Sequence, residues 1–260
     1  MRAIWSGAIS FGLILIPVRL YTAVEESGLD LDMLRKQDLC PISYARVCRT
    51  TGEEVPYEDI VKGYQYKKGD YVVLEDEDFK RASVRKTQTV DIVEFVDQRE
   101  IDAKLLAKPY YLEPTKQARK AYALLREALK KTGKVAVGRF VLRNREHLVI
   151  LKPEEDLIVL EQMRFADEIK KPAGLDLPAS GEASDREVDI AIKLIDQLTE
   201  PFRAEEFHDT YREELKRVID EKAKGKPPKV EEEKLVPTEV PDLMARLRES
   251  LEQARKKKSA

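Results

Sequence analysis

Short runs of β-branched and aromatic residues, interrupted by clusters of Gly, Asp and Glu, fill the first 112 residues of this 260-residue chain. Residues 71–74 and 90–96 are two such runs. Nearer the amino terminus, Ile9, Phe11, Leu13 and Leu15 alternate with Ser10, Gly12 and Ile14, which is the period of a strand. Elements so short, broken so regularly, predict a barrel or a sandwich. Arg2 and the apolar residues after it have the outline of a secretory signal. Ser6, Gly7, Ser10 and Gly12 interrupt that outline, and Pro17 and Arg19 break its end, so the expectation is a buried strand. The longest apolar run, residues 13–18, is far short of the roughly 18–20 residues a membrane-spanning helix needs.

The pattern changes after residue 112. Ala118, Ala121, Tyr122, Leu125, Ala128 and Leu129 repeat with helical spacing, which predicts a helix over 115–132 with Thr115 at its cap. Gly133 stands where a left-handed residue ends such a helix. Residues 134–143 and 148–152 flank the turn-like Asn144-Arg145-Glu146 and predict a hairpin, continued by a strand at 157–163. After a loop at 172–186, Ser184-Asp185-Arg186-Glu187 fits a capping box. Val188, Ala191, Ile192, Ile195 and Leu198 then form an apolar stripe, and Pro201 ends that helix. Another helix is predicted over 204–224, with Phe207, Tyr211, Leu215 and Val218 on one face. Residues 225–241 are Lys, Pro, Glu and Val without period, the composition of a linker. A short amphipathic helix follows over 241–258, with Leu243, Leu247 and Leu251 in line and basic residues at its end. The fold class is α+β.

Charge is strongly segregated. Residues 116–152 hold eleven Lys or Arg against Glu127 and Glu146, a balance of +9 in a chain whose net charge is −2. That is the footprint of a polyanion-binding surface on an otherwise acidic protein. On an extended strand Arg139, Arg143 and, if the strand continues, Arg145 share one face while Phe140 and Leu142 point into protein. The helical lysines 116, 120, 130 and 131 fit a solvated helix face equally well. The hairpin arginines have few carboxylates nearby to neutralise them. Nothing here is built to read base edges, so the surface suits phosphates rather than sequence.

The residues offer little for catalysis. Gly133 to Gly138 has the outer spacing of a phosphate loop, but Arg139-Phe140 replaces the Lys-Ser/Thr pair and the segment falls in a strand. His147 and His208 lie far apart, and His208 reads as a helix-surface or core-edge residue. Strand alternation places Asp91 and Asp97 on one face and Glu94 on the other, the barest outline of a metal-dependent nuclease. No lysine motif for covalent nucleotidyl transfer is present. Cys40 and Cys48 could be half of a tetrahedral zinc site completed by a dimer, but two buried small hydrophobes are the simpler reading. Two Cys and two His in all exclude a disulfide scaffold and a multi-finger zinc protein. So few thiols fit a reducing cytoplasm.

Several separate motifs carry a resemblance. The opening Met1-Arg2-Ala3-Ile4-Trp5-Ser6-Gly7-Ala8-Ile9-Ser10-Phe11-Gly12-Leu13, then Gly52-Glu53-Glu54-Val55-Pro56-Tyr57, Lys108-Pro109-Tyr110-Tyr111-Leu112-Glu113-Pro114, Arg139-Phe140-Val141-Leu142-Arg143-Asn144-Arg145 and Phe207-His208-Asp209-Thr210-Tyr211 resemble the prokaryotic Ku proteins, in the same order. The resemblance implies a non-enzymatic, cofactor-free protein of the cytoplasm, associated with the nucleoid. It would be a homodimeric ring that threads onto double-stranded DNA ends without sequence preference and recruits an ATP-dependent, multi-activity repair ligase in non-homologous end joining. It also implies a Ku-type β-barrel core over 1–222, with a basic bridge at about 134–163 and helices at about 187–222, and a tail over 223–260. Lys130, Lys131, Lys134, Arg139, Arg143 and Arg145 are the expected DNA contacts. Leu243, Met244, Leu247 and Leu251 are the expected anchors for the ligase. A metal-dependent nuclease and a DNA-coating protein indifferent to ends are the alternatives.

Overall fold

The computed structural model describes residues 1–25, 28–82, 88–143, 145–179 and 181–225. The expected linker and last helix, with Leu243, Met244, Leu247 and Leu251, lie outside them. Two compact units divide the chain after Lys171. The helices expected within a 1–222 core therefore group with the second unit.

The first unit is built on seven strands: β1 (Trp5–Phe11), β2 (Ile14–Thr22), β5 (Thr89–Asp97), β6 (Leu106–Pro114), β7 (Lys134–Leu142), β8 (Arg145–Glu154) and β9 (Leu157–Met163). They close into a barrel in the order β1-β2-β6-β9-β8-β7-β5. Closure is made by β1 and β5, which run parallel with Ile9 opposite Val90. Each wall strand sends alternate side chains inward. Ile16, Val18 and Leu20 of β2, Phe140 of β7, Val149 and Leu151 of β8 and Ile158 and Leu160 of β9 are all buried in one cluster. Trp5 lies edge-on to Phe140 with ring centroids 5.8 Å apart. Gly7 makes room for that indole, because a Cβ there would fall 2.3 Å from the Trp5 ring and 2.2 Å from the Gln88 carbonyl.

One end of the barrel is plugged by α2 (Arg119–Thr132), whose Tyr122, Leu125 and Leu129 join the interior cluster. The Tyr122 hydroxyl donates to the Leu112 carbonyl at 2.7 Å and accepts from the Ile158 amide at 2.5 Å, so one side chain ties the plug to β6 and β9. Gly133 takes φ 65° just past the helix and releases the chain into β7, as its position predicts. Thr115 makes no side-chain cap; a 3-10 turn over Lys116–Ala118 precedes α2 instead. On the outside of the wall, Val135, Ile150 and Met163 pack against Ile101 and Leu105 of the 98–105 segment. That second layer is why β8 and β9 read as continuous apolar runs rather than alternating ones.

The hairpin expected after residue 134 is present as β7 and β8, but it is not an arch. β7 is hydrogen-bonded to β5 on its free side and β8 to β9, so 134–163 is barrel wall. What leaves the barrel is the chain between β2 and β5, described over 23–25 and 28–82. This excursion carries β3 (Lys62–Lys67) and β4 (Asp70–Leu74), which pair only with each other, and α1 (Asp76–Ala82). None of its described residues is buried.

Two turns in the excursion are built to one plan, each residue of the second standing thirteen places after its counterpart. Arg35 N–H donates to the Cys40 carbonyl and Leu39 N–H to Arg35; likewise Cys48 N–H donates to Glu53 and Gly52 N–H to Cys48. Leu39 and Gly52 both have positive φ, 57° and 77°. The side chains correspond as well, since Asp38 accepts from the Cys40 amide and Thr51 from the Glu53 amide, each at 3.3 Å. In the first turn an Arg35–Asp38 ion pair at 2.5 Å spans the positions that Cys48 and Thr51 occupy in the second.

The second unit contains α3 (Asp185–Leu198) and α4 (Thr210–Ala223). Ser184 and Glu187 form the expected capping box. The second helix starts later than its apolar pattern predicts, because Asp209 accepts from the Arg212 amide and sets the cap there. No residue of either helix is buried, and Ile195 and Leu198 are each 63% exposed. His208 is exposed just before α4. Among the described residues no helix is long and apolar enough to cross a membrane.

Candidate nucleic-acid interface

The basic stretch at 116–152 does not form one surface. Lys130, Lys131 and Lys134 sit where α2 hands over to β7, at the plugged end of the barrel. Lys130 Nζ donates to the Glu155 carbonyl and fastens the β8–β9 turn to the helix. Arg126 is committed to Asp156 and Glu127, and Lys152 to Glu154 and the buried Glu161.

The three arginines expected on one strand face are separated. Arg139 lies on the outer face with its guanidinium 3.6 Å from Glu146, so it does have a carboxylate partner. β7 ends at Leu142, which pairs directly with Arg145. Arg143 takes φ 52° in the turn between them. Since directly paired residues point to the same side, Arg145 follows Leu142 and Phe140 inward, opposite to Arg139.

Arg143 and Arg145 instead meet at the open end of the barrel. Together with Lys108 of β6 they rim a hollow of about 370 Å³. Tyr110, His147 and Gln162 form its wall. The Tyr110 hydroxyl faces Gln162 Oε1 at 3.5 Å, and Gln162 Nε2 donates to His147 Nδ1 at 3.0 Å, which leaves the proton of the neutral ring on Nε2. Burial holds the His147 imidazole below its ordinary value; the Leu142 backbone and Glu168 pull it up, and Arg145 pushes it down. Among the described residues Lys108, Arg143 and Arg145 have no carboxylate within ion-pair distance. Lys108, Tyr110 and Gln162 were not singled out as contacts from sequence. Only the register of β6 on β9, with Tyr110 opposite Leu160 and Lys108 opposite Gln162, brings them to the two arginines.

The carboxylates of the nuclease outline are distributed differently from the strand expectation. A bulge between Ile92 and Glu94 shifts the register of β5, so Asp91 and Glu94 share the outer face and Asp97 is on the other. The Arg99 guanidinium and amide hold the Asp97 carboxyl well below the usual carboxylate range. Cys40 and Cys48 occupy different positions of the duplicated turn, Cys40 matching Glu53 and Cys48 matching Arg35. Both are free and neither is buried, against the expectation of two buried apolar thiols.

Residues 10–190 match the family described as the Ku70/Ku80 beta-barrel domain. The chain belongs to the Ku family. It is 44% identical over 97% of its length to a non-homologous end joining protein Ku of Opitutus terrae, covering 92% of that protein. It is 45% identical to the one from Cupriavidus necator, over 97% of this chain and 78% of the relative. The Bacillus subtilis protein of the same name is 39% identical over 98% of the chain and 83% of the relative. The Ku match begins inside β1 and ends in α3, so it takes in the closing strands, the excursion and the open mouth.

Proposed function

We propose that the protein binds ends of double-stranded DNA as a homodimeric ring, without sequence preference, and brings an ATP-dependent repair ligase to the break in non-homologous end joining. The observation that carries this reading is the set of three cations at the barrel mouth, Lys108, Arg143 and Arg145, left without carboxylate partners on a Ku barrel. Cations free of internal partners are available to phosphates, and phosphate contact carries no sequence information. The names of the relatives support the assignment to end joining.

The arch of the ring is the excursion between β2 and β5. A segment of this length with no buried described residue gains its order from something outside the barrel, and a second copy and a DNA duplex both answer that need. The uncovered apolar residues of α3 support self-association. Ligase docking rests on the apolar spacing of Leu243, Met244, Leu247 and Leu251 in the tail.

Retention on one DNA sequence, presented as a linear duplex and as a covalently closed circle of equal length, tests the reading. Threading predicts strong retention on the linear form and weak retention on the circle. Equal retention removes the ring and favours a protein that coats DNA from one side.

A further inference from the structure

We infer that the hollow at the barrel mouth holds the terminal phosphate of a DNA strand, on the phosphorylated nucleotide at the end itself. The inference rests on the end-binding reading above and adds a chemical preference to it. Three cations, Lys108, Arg143 and Arg145, converge on one concavity and spend no charge on a neighbouring carboxylate. At about 370 Å³ the hollow lies at the small end of ligand sites, room for one nucleotide and not for a duplex. A phosphate inside a duplex has neighbours on both sides that keep it on a convex surface. A terminal phosphate has only one, and can enter.

The wall completes an anion site. Gln162 is fixed between Tyr110 and His147 by two hydrogen bonds, so the polar side of the hollow is ordered before a ligand arrives. Arg143 is aimed by the turn itself, because its left-handed backbone carries the side chain off the line of β7. Glu168, which acts on the His147 end of the wall, is engaged by the Phe165 amide at 2.7 Å. A terminal monoester also carries close to twice the charge of an internal diester near neutral pH, so three cations favour the end over the strand.

The test uses the full-length protein and one duplex made with 5′-phosphate, 3′-phosphate or hydroxyl ends, with deoxyadenosine 5′-monophosphate as a free competitor. At least one phosphorylated end should bind about tenfold tighter than the hydroxyl end, as charge-assisted hydrogen bonds to a new anion imply. That preference should vanish in Arg145→Ala and in Lys108→Ala, both at exposed positions, which should bring phosphorylated and hydroxyl ends down to one common, weaker affinity. The mononucleotide should compete away only the phosphate-dependent part. Equal binding of all three ends overturns the terminal-phosphate site and leaves end binding intact. A preference that survives both variants places the phosphate elsewhere and also overturns it. A mononucleotide that binds the mouth while all ends bind equally makes the hollow a free-nucleotide site and overturns the strand-end assignment. Failure to distinguish linear DNA from a circle in the same assay overturns the end-binding reading instead.

Discussion

Leu142 and Arg145 stand directly opposite each other across the β7–β8 hairpin, and through this pairing Arg145 faces the barrel mouth rather than its outer wall. Carried on through 145, strand parity would have put Arg145 on the side of Arg139. The turn intervenes at Arg143, with φ 52°, and reverses the count. Two arginines six residues apart in a basic run thereby acquire different duties. Arg139 pairs with Glu146 on the outside, and Arg145 is left free at the mouth.

Charge reversal should separate those duties. Arg143→Glu and Arg145→Glu are expected to weaken duplex binding uniformly across sequences, while loss of each contact lowers the salt slope by about one. Arg139→Glu should cost less, because its guanidinium is already engaged. Anisotropy titrations on two unrelated sequences over a salt series read both quantities. Equal losses from all three variants would move the DNA to the outer face of β7.

His147 should make the barrel sensitive to acid. Burial depresses its folded value below the ordinary 6.5, so the unfolded chain takes up a proton more readily than the folded one. The stability associated with the neutral ring is therefore complete above that ordinary value and is lost as pH falls below it. Urea unfolding midpoints on either side of 6.5 should show the decline, and His147→Gln should flatten it. An unchanged slope in the variant would assign the decline to other groups.

Tyr122→Phe should be costly for so small a change. It leaves the Leu112 carbonyl and the Ile158 amide without their shared partner inside the plugged end. A loss of about 1–3 kcal/mol is expected from buried polar groups left unpaired. Denaturant unfolding of the two proteins measures it, and a neutral result would mean that water replaces the hydroxyl.

Cys48 should be the reactive thiol of the pair. The Thr51 amide and hydroxyl, followed by the Thr50 amide, bring it down to about 7. In a Cys40→Ser background its alkylation by iodoacetamide should be half-maximal near that pH. Thr51→Ala should move the midpoint upward. A midpoint at the ordinary thiol value would show that the turn does not hold its amides on the sulfur.

Local chemistry was readable in the residues themselves. The helix ended by Gly133, the capping box at Ser184 and Glu187 and the strands expected at 134–143 and 157–163 follow from spacing within a few neighbours, whereas spacing left barrel and sandwich open and the barrel came from the family resemblance. Those are contests between adjacent residues, and the order of the chain decides them. The family motifs were equally explicit.

The site was not readable in that way. Closure depends on Ile9 meeting Val90, and the mouth depends on Lys108 meeting Gln162; both are register choices between segments far apart in the chain. Strand parity, sound within one uninterrupted strand, fails at a turn or a bulge, as it did at Arg143 and between Ile92 and Glu94. So the sequence by itself determined the plugging helix, several of the barrel strands and the richness in cations over 116–152. Tertiary structure alone decided which of those cations spend their charge inside the protein and which are left for a phosphate, because partnership is settled by distances that only the closed barrel sets.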